Sequence, residues 1–131
     1  MGMFSFEKLE VYRKSKGLVK EVYRLQQKFP AEERYALGDQ IRRSITSVAS
    51  NIAEGSGRDS AKEKAHFCVI AFGSLMEAFS QLQIAQDIKY ITENEVERLR
   101  PQFEEIAKML SGLKSSFEKK LTYTQNRAMN S

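Results

Sequence analysis

The chain holds one cysteine, one histidine, two prolines and no tryptophan in 131 residues, and each scarcity removes a class of explanation. A lone Cys68 cannot build an internal disulfide framework and suits a reducing compartment. Zinc needs three or four Cys, His or carboxylate ligands, whereas His66 and Cys68, two residues apart, fall on different faces of a helix. Di-iron bundles need Glu-x-x-His pairs from facing helices; Glu63 and His66 supply one such pair and no second exists. Ser44, Ser47 and Cys68 are candidate nucleophiles with one possible histidine base and no third member. Glu32-Glu33 and Glu104-Glu105 are adjacent carboxylates of a solvated face. The expectation is a protein with no catalytic site, no metal and no cofactor.

The opening Met1-Gly2-Met3-Phe4-Ser5-Phe6 has neither a basic n-region nor a long apolar run, so it does not read as a signal peptide. Phe6 stands where a myristoylation signal wants Ser or Thr. A cytoplasmic location is expected. Hydrophobic content of 41% and charged content of 29% are ordinary for one globular domain able to bury a core. The formal net charge of +4 permits contact with nucleic acid or an anionic surface without demanding it.

Few prolines and glycines leave room for long helices, and four are predicted, over about 6–28, 31–55, 60–88 and 93–120. Ser5 is the expected N-cap of the first, and Phe29-Pro30 ends it, because a residue before proline is pushed out of the α region. The second carries an apolar seam of Leu37, Ile41, Ile45, Val48 and Ile52, with Gly38 expected to loosen its start and Gly55 to stop it. Ser60 with Glu63, and Thr92 with Glu95, read as capping boxes opening the third and fourth. Val96, Leu99, Phe103, Ile106, Leu110, Leu113 and Phe117 keep a three–four alternation through the fourth. Pro101 lies inside it and predicts a bend near 97–101. Residues 122–131 are polar and are expected to be a frayed, flexible tail. Short connections make sequential helices antiparallel neighbours, so the predicted fold is all-α, an antiparallel up-down-up-down four-helix bundle.

The third helix has one formal charge, Glu77, between His66 and Asp87, and apolar residues in most directions around its axis. A bundle cannot bury every side of one of its own helices, and Gly73, Ser74, Ser80, Gln81, Gln83 and Gln86 interrupt it too often for a membrane span. Part of it is therefore expected to pack against another copy of the chain, with Phe72, Leu75 and Phe79 assigned to structure and assembly. The alternative is a monomer with an apolar surface patch.

Three polar features are candidates for binding. Arg13, Lys16, Lys20, Arg24 and Lys28 fall within roughly 120° of helix one, a stripe that fits either a phosphate backbone or an ordinary solvated face. Arg42 is a second exposed candidate. Gly55-Ser56-Gly57-Arg58-Asp59-Ser60 offers glycines, an arginine and a helix start, fit for an anion or for nothing beyond capping. On helix two, Gln40, Arg43, Ser47, Asn51 and Glu54 form a polar seam. Buried or inter-subunit hydrogen bonding is its expected role, anchored by Arg43 and Glu54.

Several of these segments in order resemble a bacterial four-helix-bundle family first noticed as proteins encoded within intervening sequences of 23S rRNA genes. They are Phe6-Glu7-Lys8-Leu9; Phe29-Pro30 with Glu33 and Leu37; Gln40-Ile41-Arg42-Arg43-Ser44; Ser47; Asn51-Ile52-Ala53-Glu54-Gly55; Ala71-Phe72-Gly73-Ser74-Leu75 with Glu77; and Lys108-Met109-Leu110. Pro101 departs from the pattern. The resemblance implies a barrel-like homo-oligomer, a pentamer, without catalysis. More distantly, the chain is similar to the accessory variability protein of diversity-generating retroelements, a basic pentamer that binds nucleic acid and a reverse transcriptase. The reading is a non-enzymatic, cytoplasmic oligomer that binds RNA or DNA through Arg13, Lys16, Lys20 and Arg24, with Arg42 and Arg58 as second choices. The rival readings are a scaffold for a protein partner and a small-molecule carrier, which would need a cavity that the bulky seams do not suggest.

Overall fold

Four apolar seams at helical spacing can be buried together only if they face one another, and they do. The computed structural model describes residues 4–130, which contain four α-helices. These are α1 (Glu10–Gln26), α2 (Leu37–Ser56), α3 (Ala61–Asp87) and α4 (Glu93–Asn130), with short 3-10 segments at Ser5–Lys8 and Ala31–Glu33. Each helix packs on its sequence neighbour and α1 closes the ring against α4, giving an antiparallel up-down-up-down bundle. The core is continuous, from Val11, Leu18 and Val22 through Ile41, Ile45 and Val48 to Leu75, Leu82, Leu99, Phe103 and Ile106. No buried side-chain nitrogen or oxygen among the described residues lacks a hydrogen-bond partner.

Helix boundaries differ from expectation where local chemistry intervenes. The first helix does not run from Phe6 and Ser5 does not cap it. Ser5–Lys8 is a 3-10 turn, Leu9 is extended (φ −75°, ψ 126°), and α1 begins at Glu10. Likewise Pro30 opens a 3-10 turn at Ala31–Glu33, and α2 starts only at Leu37. Gly38 is buried, and a Cβ there would sit 2.8 Å from Gln26 Nε2, so its role is close packing. Gly55 is not the stop: it lies inside α2, and the C-cap is Gly57. Gly55 is needed because a Cβ would lie 2.6 Å from Phe67 Cβ on α3.

Of the two expected capping boxes, the one at Thr92 and Glu95 closes in both directions and the one at Ser60 and Glu63 in one. Ser60 Oγ accepts from the Glu63 amide at 3.1 Å. Thr92 Oγ1 accepts from the Glu95 amide at 3.1 Å while the Thr92 amide donates to Glu95 Oε1 at 2.9 Å. α4 passes through Pro101 without interruption. Pro101 and Glu97 are both exposed, so water can satisfy the Glu97 carbonyl that lost its amide partner. The helix also continues through 122–130, where a frayed tail was expected, because a helix already nucleated in the bundle extends at little further cost.

Candidate assembly face and basic surfaces

The register of α3 sorts its apolar residues in an unexpected way. Ala71, Leu75, Ala78, Leu82 and Ala85, alternating by four and three, form the face that packs on α2 and α4, and all are fully buried. The larger side chains point outward. Val69 (47% exposed), Met76 (42%), Ile84 (46%) and Ile70 (36%) line the free face, with Ile88 (48%) just past its end. Phe72 and Phe79 are half-buried; the Phe79 ring meets Phe103 of α4 edge-on at 4.9 Å, and the Arg100 guanidinium lies 4.8 Å from its centroid. Leu75, assigned to structure and assembly, serves structure: it is a core residue of the single chain, because it shares the inner register with the alanines. By length and composition α3 also suffices to cross a membrane, but 33% of its most apolar window is buried inside this bundle.

Between α2 and α3 runs a polar ladder. Ser44 Oγ donates to Gln81 Oε1 at 2.7 Å, and Gln81 Nε2 donates to Glu77 Oε1 at 3.3 Å. Ser47 and Ser74 hydroxyls lie 2.9 Å apart, and Asn51 Nδ2 reaches Ser47 Oγ at 2.9 Å. Ser47 and Asn51 thus act in the hydrogen-bonding role read from the sequence, within one chain. Arg43 is exposed and makes no ion pair among the described residues; Glu54 pairs with Arg58 at 2.7 Å.

The candidate binding arginines divide sharply. Arg42, expected to be exposed, is clamped inside the protein. It pairs with Asp39, donates to Gln26 Oε1 at 2.5 Å and donates to the Arg34 carbonyl at 2.8 Å, with its side chain 23% exposed. It ties α2 to the end of α1, because buried Gln26 needs a donor. Arg58 is also engaged, paired with Glu54 and lying 4.9 Å from the centroid of the Phe67 ring. With Ser60 occupied as a cap, the glycine-rich 55–60 segment serves capping and packing. On α1, Arg24 pairs with Glu21 at 2.6 Å and Arg13 lies 4.0 Å from Glu10, while Lys28, just past its end, pairs with Glu95 across to α4. The Lys28 partner and the Thr92 amide hold the Glu95 carboxyl below the usual carboxylate range. Lys16, over the Tyr12 ring at 5.1 Å, and Lys20 are exposed without an ion pair among the described residues.

A cavity is present after all. At the end of the bundle where α1 begins, about 190 Å³ is enclosed by Leu9, Ile52, Phe67, Cys68, Leu113 and Phe117 among others. Gly55 brings no side chain there, so the seams line this end without filling it. Lys64 Nζ, at the rim, already donates to the Ser56 carbonyl at 3.0 Å. Burial pushes the Cys68 thiol pKa up, which lowers its reactivity. No group of three or more His, Cys, Asp or Glu side chains suited to a metal occurs among the described residues.

A family model described as 23S rRNA-intervening sequence protein matches residues 7–112. The chain belongs to the 23S rRNA-intervening sequence protein family. A crystal structure of a protein of unknown function from the S23 ribosomal protein family of Bacteroides thetaiotaomicron is similar, at 25% identity and a TM-score of 0.72. The similarity covers 96% of that chain and 79% of this one. No curated protein matches. Membership in the intervening-sequence family agrees with the four-helix bundle.

Proposed function

We propose that this protein is a non-enzymatic, cytoplasmic homo-oligomer that binds RNA through basic residues repeated around the assembly. The observation that carries the reading is the outward face of α3, where Val69, Ile70, Met76 and Ile84 are exposed beside a single carboxylate, Glu77. A cluster of large exposed apolar side chains of this kind suits an interaction surface. Glu77 is the only charge along it, so identical faces can meet with little repulsion. A pentamer is the order that the family resemblance implies. Assembly multiplies the weakly basic α1 surface around Lys16 and Lys20, so several modest phosphate contacts act together.

The test has two readouts. In sedimentation velocity the wild type is expected to run as an oligomer, and Ile70→Glu/Ile84→Glu as a helical monomer. In fluorescence anisotropy the wild type is expected to bind labelled structured RNA, with affinity that falls steeply as salt rises. An oligomer that ignores RNA even at low salt would overturn the RNA reading and leave a scaffold for a protein partner. A monomeric wild type would overturn the assembly.

A further inference from the structure

We infer that the last part of α4, residues 113–130, is an arm that grips single-stranded RNA, an element this chain adds to the family bundle. The inference rests on the RNA reading above and locates its principal site away from α1. The bundle core ends at Leu110. Leu113, Phe117 and Leu121 are half-buried, and from Thr122 to Met129 every side chain is exposed. The family match stops at residue 112, so the shared fold does not call for this segment.

Its charge is what sets it apart. Residues 113–131 carry Lys114, Lys119, Lys120 and Arg127 against Glu118 alone, so they hold three of the four net positive charges of the chain. Lys114 and Glu118 pair with each other at 3.6 Å. Lys119, Lys120 and Arg127 have no carboxylate partner among the described residues, unlike the arginines of α1. At 100° per residue these three and Tyr123 occupy a sector of about 100° on one side of the helix. Tyr123 is 63% exposed, the Arg127 guanidinium lies 5.9 Å from its ring centroid, and Lys120 Nζ lies 5.7 Å from that of Phe117. Cations that meet phosphates, interleaved with an exposed aromatic on which a base can stack, are the elements of single-strand recognition. A lipid surface fits less well. The apolar residues on the adjoining side, Leu113, Phe117 and Leu121, are partly covered by the bundle, and Thr122, Thr124, Gln125 and Asn126 follow.

The experiment is an anisotropy titration of the full chain against fluorescein-labelled oligouridine over a salt series. Wild type, Lys119→Glu/Lys120→Glu/Arg127→Glu, Tyr123→Ala and the α1 variant Lys16→Glu/Lys20→Glu/Arg24→Glu are compared, with circular dichroism confirming the fold of each. The arm triple variant is expected to lose at least tenfold in affinity, and its dependence of log K on log salt to become shallower by about 2, near 0.7 per phosphate contact on a single strand. Tyr123→Ala is expected to lose roughly tenfold with the salt dependence unchanged. If the arm variants bind like wild type while the α1 variant is weakened, the arm is overturned and the RNA reading stands. If the wild type binds no RNA, the function reading fails, and capture of the arm by anionic vesicles instead would assign it to membranes.

Discussion

The two faces of α3 are both apolar, yet they are built from different side chains. The inner face uses Ala71, Ala78 and Ala85 with Leu75 and Leu82; the outer uses Val69, Ile70, Met76 and Ile84. Small residues inside let α2 and α4 approach closely, and the leucines fill the remaining layers. Hydrophobicity alone would have placed the isoleucines inside. The difference teaches that burial in this chain follows register and size, and that the bulky outer residues are left uncovered by the chain's own fold.

That contrast can be broken by substitution. In the Ile70→Glu/Ile84→Glu background, Leu82→Ala is expected to cost about 3 kcal/mol in urea denaturation, as transfer and cavity terms combine at a fully buried site. Met76→Ala in that background should stay within about 0.5 kcal/mol, because its side chain leaves little packing behind. Equal losses would erase the distinction between the faces. The glycines sharpen it further. Gly55→Ala drives a methyl into Phe67 and is expected to cost about 2 kcal/mol unless the ring shifts. A methyl at Gly73, on the outer face of α3, meets nothing within 4 Å. Gly73→Ala in the same background should therefore raise stability by roughly 0.5–1 kcal/mol through helix propensity, read as a higher urea midpoint.

Much of the fold was legible in the sequence because its determinants are periodic and local. Seams such as Ile41–Ile45–Val48–Ile52, and the Thr92–Glu95 box, act through residues three and four apart. The starts of α1 and α2 were misread because they turn on backbone geometry near Phe6 and Pro30, where a 3-10 turn competes with the α-helix on equal composition. Arg42 was misplaced because its partners, Gln26 and the Arg34 carbonyl, come from a different helix and a loop. Pattern reading left Leu75 between structure and assembly, and the heptad of alanines around it fixes its direction inward. The arm left one plain trace, the lack of any acidic residue after Glu118, which a whole-chain charge conceals.

α4 is the one helix that belongs both to the core and to the space beyond it. From Leu110, seated among the other helices, to Arg127 the backbone advances about 26 Å as a single rod. Such a rod is a lever with its fulcrum in the bundle. A tilt of about 10° where Phe103 and Leu110 pack would sweep the tip through some 4–5 Å, on the order of the advance of three residues at 1.5 Å each. Conversely, a load applied at Tyr123 arrives at Phe103, Phe79 and Arg100 as torque. The edge-on contact of Phe79 with Phe103, 4.9 Å between centroids, is where such a torque would first meet α3.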